Sequence, residues 1–137
     1  MNHPPNPKAL KIIWFAFTGF STLLYLLPRY LMAEGAPDGV FPNLNDPLTL
    51  ALTVVAVIDL FASFLAPRLW AKGSDDPSKG ALAIILRYVL LESMSLIGFI
   101  LAVLKEEPGL VTLYAGTAIF LLVLNYPTSD RVKSLTR

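Results

Sequence analysis

The sequence predicts an all-α, polytopic membrane protein with four transmembrane helices, and three observations support this fold class. The chain of 137 residues is 55% hydrophobic and only 15% charged, whereas about a quarter of the residues in soluble domains are charged. Four apolar runs are each long enough to cross a hydrocarbon core of ~30 Å as a helix. None of them alternates between apolar and polar residues, as a transmembrane β-barrel requires.

The four predicted helices cover residues 12–32, 47–67, 80–104 and 109–126, within a single integral membrane domain that comprises residues 1–137. Aromatic bulk in the first run, from Trp14 onward, favours a retained helix over a cleaved signal peptide. Pro67 closes the second run and Pro127 stops the fourth. Asp75 and Asp76, in the polar segment before the third run, are interpreted as a capping or solubilising pair.

The distribution of basic residues predicts the orientation of the helices. If the amino terminus is cytoplasmic, two basic residues lie outside, Arg29 and Lys105, and eight lie inside: Lys8, Lys11, Arg68, Lys72, Lys79, Arg131, Lys133 and Arg137. Cytoplasmic loops carry such an excess of Lys and Arg. We therefore expect both termini on the cytoplasmic side of the inner (cytoplasmic) cell membrane.

The composition also excludes several classes of function. The chain has no Cys, which excludes disulfides and thiolate chemistry, and its one His is His3 in a Pro-rich start. We expect no metal site, no cofactor other than a bound H⁺ or Na⁺, and no enzymatic activity. A net charge of +1 gives no reason to expect a nucleic-acid partner. The expected partners are the lipid bilayer and other membrane subunits or copies of the chain.

A weak internal repeat is visible between the two halves of the chain. The first and third helices can be overlaid so that Ser21 matches Ser95, which aligns Thr18 with Glu92. The second and fourth helices end in similar segments that contain Pro67 and Pro127. The overlay suggests two repeated helical hairpins related by an axis along the membrane normal.

Asp59 and Arg87 are two of the three charged residues inside the predicted spans. A charge at the centre of such a helix costs about 2.5–3.5 kcal/mol on insertion scales, so each one needs a partner. Asp59 precedes Pro67 by eight residues and Arg87 follows Lys79 by eight, so both lie ~12 Å from their helix ends. We expect either a structural Asp59–Arg87 ion pair or an Arg87 side chain that extends to the headgroups while Asp59 is protonated or bonds a neighbouring hydroxyl.

Glu92 is the third buried charge, and it lies deeper than Arg87 on a different face of the helix. Tyr88 and Ser95 share its face and are the nearest polar groups. A carboxyl group there is neutral unless an ion or water reaches it, which is the requirement for a proton or Na⁺ site. The alternative is a protonated carboxyl that donates one interhelical hydrogen bond.

The segment from Ile84 to Phe99, Ile-Ile-Leu-Arg-Tyr-Val-Leu-Leu-Glu-Ser-Met-Ser-Leu-Ile-Gly-Phe, resembles the ion-binding helix of rotary ATPase subunit c. In that family a mid-membrane carboxylate follows a polar cytoplasmic loop and precedes small residues. The resemblance covers about 20 residues of the third helix. It implies that Glu92 binds the proton or Na⁺ and that Ser93 and Ser95 help to line the site.

Two functional hypotheses follow. In the first, the protein is a subunit-c-like oligomer in which Glu92 binds H⁺ or Na⁺. In the second, it is a non-catalytic accessory or scaffold subunit of a larger membrane complex, in which the buried charges fix the register of the helices. An oligomer is expected in either case, because four helices leave little interior for three charges.

Overall fold

The computed structural model describes residues 6–32 and 34–136, and every regular element in these residues is helical. His3 and the rest of the Pro-rich start lie outside the described residues. The helices are α1 (Pro7–Leu31), α2 (Pro47–Ala71), α3 (Pro77–Lys105), α4 (Leu110–Leu124) and α5 (Ser129–Ser134). The all-α prediction is confirmed, and the short helix α5 was not predicted.

Three of the helices, α1, α2 and α3, are long and apolar enough to cross a membrane. The fourth, α4, is equally apolar but has only 15 residues, against the 18 of the predicted span. At 1.5 Å per residue it is about 22 Å long. Its ends are set by Gly109 and by Asn125, which caps the last turn with its backbone N–H.

The three long helices begin at or before the predicted apolar runs because each has the same type of start. Asn6, Asp46 and Asp76 are N-cap residues whose side chains accept a backbone N–H of the first turn, and each is followed by a proline at the first helical position. The N-cap satisfies an otherwise unpaired donor, and proline has no N–H to leave unpaired there. The capping role expected in the Asp75-Asp76 pair is confirmed for Asp76.

Helix α3 is the centre of the bundle. It packs against α1, α2, α4 and α5, whereas α1 packs also against α4 and α2 packs almost entirely on α3. In the most apolar stretch of α3, 56% of the residues are buried, against 17% in α1 and α2. The outward faces of α1 and α2 carry large apolar side chains such as Phe15 and Phe61, as expected for faces in contact with lipid.

Gly98 allows the closest approach between α3 and α4. A Cβ atom at Gly98 would lie 2.5 Å from Cβ of Tyr114 and 3.4 Å from the backbone nitrogen of Ala115. Because Gly98 has no side chain, the backbone of α3 packs directly against the Tyr114 side chain of α4. On its other side, the Tyr114 hydroxyl lies 2.6 Å from the Thr53 hydroxyl on α2, so the three helices are tied together at this level.

Two ion pairs lie at the end of the bundle where α1 and α3 terminate. Arg29 Nη1 lies 3.6 Å from Asp38 Oδ1, and Lys105 Nζ lies 2.8 Å from Asp46 Oδ2. The Lys105 contact, with the Thr49 hydrogen bonds, lowers the pKa of Asp46 to about 2. Asp46 thus caps α2 and joins it to the end of α3.

Candidate functional site

A buried cluster of three polar side chains lies between α1 and α3. The Ser21 hydroxyl donates to Glu92 Oε2 at 2.7 Å, and it lies 2.9 Å from the Ser95 hydroxyl. The only proton of Ser21 is used on Glu92, so Ser95 is the donor in the second bond. Ser21 and Ser95 are fully buried and Glu92 is 7% exposed, so the cluster is closed to lipid.

Helical periodicity places these side chains on facing stripes. On α3, Tyr88, Glu92 and Ser95 follow at i, i+4 and i+7, and on α1 the buried residues Ser21, Leu24 and Pro28 follow at i, i+3 and i+7. Glu92 is near the middle of α3, about 22 Å from its first residue. The carboxyl group is therefore as far from either end of the helix as the bundle allows.

Two oxygens in this part of the bundle have no hydrogen-bond partner among the residues that the structure describes. They are the second carboxyl oxygen, Glu92 Oε1, and the hydroxyl oxygen Thr18 Oγ1, both buried. Thr18 lies one turn before Ser21 on α1. It is the residue that the overlay of the first helix on the third aligns with Glu92. A buried polar atom without a partner is costly, and the unpaired carboxyl oxygen adds to the cost of an ionised Glu92 at this place.

The structure places two of the residues expected around Glu92 away from its carboxyl group. The Tyr88 hydroxyl points away from the carboxyl group, because it donates to the main-chain carbonyl of Asn125 at 2.7 Å. Ser93 makes no side-chain hydrogen bond and is half-buried; adjacent residues on a helix point about 100° apart, so it lies beside the cluster, not in it. Ser21 takes the place that these two residues were expected to fill.

Arg87 forms a second polar site, nearer the start of α3. Its Nε donates to the main-chain carbonyl of Ser63 at 2.8 Å, and its Nη1 donates to Asn125 Oδ1 at 2.8 Å. The carbonyl of Ser63 is available because the residue four positions on is Pro67, which has no N–H to donate. Arg87 thus supplies the hydrogen bond that Pro67 removes from α2.

The expected Asp59–Arg87 ion pair is not formed. Among the described residues the ion pairs are those of Arg29 and Lys105, and the buried Oδ2 of Asp59 has no hydrogen-bond partner. By residue count Asp59 and Arg87 are equally far from their helix ends, yet Arg87 meets α2 at Ser63, one helical turn from Asp59. Neutral acceptors, a carbonyl and an amide, take the place of the carboxylate.

The described residues contain no group of three or more His, Cys, Asp or Glu side chains able to hold a metal ion. The polar chemistry of the bundle is instead concentrated at Glu92 and Arg87, on opposite sides of α3. These features, with three helices of membrane-spanning length, are those of a helical membrane protein. The chain matches no protein-family model, no curated protein and no solved structure.

Proposed function

We propose that the protein is a small polytopic membrane protein in which Glu92 binds and releases a proton within the bilayer. The observation that carries the proposal is the buried Ser95–Ser21–Glu92 hydrogen-bond chain, in which Glu92 keeps one free carboxyl oxygen. The resemblance to subunit c suggested the same residue. The hydrogen-bond chain is independent support, because it involves α1, which is outside the segment of resemblance.

The chain of hydroxyls accommodates both protonation states of Glu92 without movement of its heavy atoms. When Glu92 is ionised, Ser95 donates to Ser21 and Ser21 donates to the carboxylate. When Glu92 carries its proton on Oε2, Glu92 donates to Ser21 and Ser21 donates to Ser95. Hydroxyl groups both donate and accept, so proton uptake reverses the direction of the chain and preserves its distances of 2.7 and 2.9 Å.

The same distances favour a proton over Na⁺. The three oxygens are in direct hydrogen-bond contact, and an alkali cation between them would have to break those bonds. A hard cation also takes about six or more oxygen ligands. Glu92 Oε1 and Thr18 Oγ1 are the two unpartnered oxygens in this part of the bundle.

The proposed topology has four membrane crossings with both termini on the cytoplasmic side. The basic residues that follow α2 and α4 support this orientation. Helix α4 is shorter than the hydrocarbon core, and a short helix is accommodated when the bilayer thins locally. Its burial against α1 and α3 supports placing it inside the bundle in spite of its length.

Carbodiimide labelling of Glu92 tests the proposal, because the reagent modifies a protonated carboxyl group. The native protein in mild detergent is labelled across a range of pH, with and without Na⁺, and the adduct is located by peptide mapping. We expect one adduct on Glu92, formed faster at low pH and unaffected by Na⁺. Glu92→Gln should remove it.

Two serine variants provide the matched comparison. Ser21→Ala removes the partner of Glu92 and should change the pH midpoint of labelling. Ser93→Ala changes a serine on the same helix as Glu92 but outside the cluster, and it should leave the midpoint unchanged. Labelling that does not depend on pH would contradict the proposal. Protection of Glu92 by Na⁺ would show that its ligand is a sodium ion and not a proton.

A second candidate function, an accessory or scaffold subunit, is favoured by Asp59. This carboxyl group lies on α2, which packs almost entirely on α3, and its buried Oδ2 has no partner among the described residues. The Asp59 side chain as a whole is only half-buried, so a cation or hydroxyl of a neighbouring subunit would pair with the carboxyl group from its exposed side. This function predicts that Asp59→Asn releases co-purifying membrane proteins while Glu92→Gln retains them; the reverse pattern would exclude it.

A further inference from the structure

A cleft of about 740 Å³ opens between the end of α2, the start of α3, the end of α4 and helix α5. We call it the basic cleft. Of the residues that the structure describes, four cationic side chains line it and no acidic side chain does; the cations are Arg68, Lys72, Arg87 and Arg131. Its remaining surface is mainly apolar and includes Leu65, Leu69 and Leu121.

Arg87 lies at the inner end of this cleft and has no counterion among residues 6–32 and 34–136. The residue is 5% exposed, its Nε and Nη1 bind neutral acceptors, and within the same residues its buried Nη2 has no hydrogen-bond partner. A buried guanidinium group is costly unless it is paired. Because Arg68 and Arg131 line the same cleft, their charges add to this cost and do not relieve it.

The partners of Arg87 hold the guanidinium in place. Asn125 accepts from Nη1, donates from its own side chain to the Leu121 carbonyl at 2.7 Å, and accepts the Tyr88 hydroxyl at its main-chain carbonyl. The Ser63 carbonyl, freed by Pro67, holds Nε on the other side. The unpaired Nη2 is therefore a pre-positioned donor.

We propose that the basic cleft binds the phosphate headgroup of an anionic phospholipid, with Arg87 donating to a phosphate oxygen and Arg68 and Arg131 flanking it. Arginine binds phosphate through paired N–H donors, and basic pockets between membrane helices bind anionic headgroups. Free phosphate shares this chemistry, but the apolar lining favours a ligand that also has acyl chains. The proposal is independent of proton binding at Glu92.

The test measures lipid selectivity by native mass spectrometry. Delipidated protein in a non-ionic detergent is incubated with equal amounts of palmitoyl-oleoyl phosphatidylglycerol and phosphatidylcholine, and the ratio of bound lipids is recorded. Arg87 also ties α2 to α4, so the variant leaves it in place and combines Arg68→Gln with Arg131→Gln. The control combines Lys8→Gln with Lys79→Gln, which removes two exposed cations outside the cleft.

We expect the native protein to retain phosphatidylglycerol preferentially. The preference should fall by about fivefold for each arginine removed and should stay unchanged in the control. Equal retention of the two lipids by the native protein, or an equal fall in the control, would overturn the proposal. An excess of inorganic phosphate at constant ionic strength should not displace the lipid; full displacement would assign the cleft to free phosphate and overturn the assignment to a lipid.

Discussion

Replacing Gly98 by alanine tests the packing of α3 against α4. The added Cβ would lie 2.5 Å from Cβ of Tyr114 and 3.4 Å from the backbone nitrogen of Ala115. Carbon atoms in contact are about 3.5–4.0 Å apart, so the helices must separate by about 1 Å at this point. Overpacking of this kind costs roughly 1–3 kcal/mol, and the separation also strains the hydrogen bond between Tyr114 and Thr53.

Gly19→Ala is the matched control for this variant. Gly19 lies in α1 and is exposed, and a Cβ atom added there would meet nothing within 4 Å. Both variants gain the same helical propensity, about 0.5–1 kcal/mol for alanine over glycine. The difference between their free energies of unfolding therefore isolates the steric cost at Gly98.

The assay is reversible unfolding in mixed micelles, followed by the fluorescence of Trp14 and Trp70. Gly98→Ala should be less stable than Gly19→Ala by roughly 1–3 kcal/mol. Adding Tyr114→Ala to the Gly98→Ala variant should not restore stability, because the Cβ atom that clashes remains in alanine. Equal stability of the two glycine variants would show that a Cβ atom at position 98 fits between α3 and α4 without a steric cost.

Three further outcomes are expected. The pKa of Asp46 is lowered to about 2 from an ordinary value of 3.8, so the ionised carboxyl group stabilises the fold above pH 3.8 and this stabilisation is lost as the pH falls towards 2. The free energy of unfolding of Asp46→Asn, measured across pH, should lack this pH-dependent part. A pH dependence identical to that of the native protein would contradict the prediction. Glu106 ends α3 with a φ of 55°, so Glu106→Gly should raise the free energy of unfolding by up to about 1 kcal/mol, whereas a loss of stability would count against relief of strain. Tyr88→Phe removes the hydrogen bond to the Asn125 carbonyl and should lower the unfolding free energy by about 1–3 kcal/mol; no change would show that the bond contributes little.

Much of the fold was predictable from local sequence. The apolar runs located the three long helices and the shorter α4, because a run of apolar residues in lipid satisfies its backbone only as a helix or in a closed barrel. The ends of the helices were less accurate because hydropathy reports the apolar run, whereas capping decides where the helix begins. Asn6-Pro7 and Asp76-Pro77 contain that information, and the same pair at Asp46-Pro47 coincides with the predicted start.

Only the part of the candidate site that lies on α3 was predictable from the sequence. The face of α3 that carries Glu92 and Ser95 follows from helical periodicity. Ser21 was missed because the rotation of α1 about its own axis depends on packing across the bundle. The overlay of Ser21 on Ser95 was the available signal, since residues that match in depth on parallel helices can meet. For Arg87 the decisive signal was Pro67, which frees the carbonyl that Arg87 binds.

The central position of α3 has a consequence for the order in which the chain folds. Helices α1 and α2 emerge first during synthesis, yet each finds its main packing partner in α3. Until α3 is inserted, the Ser21 hydroxyl on α1 and the Ser63 carbonyl on α2 lack the side chains that satisfy them in the folded bundle, and such groups are costly in lipid. The first two helices therefore depend on α3 for the partners of these polar groups, and α3 completes the bundle only after both have been synthesised.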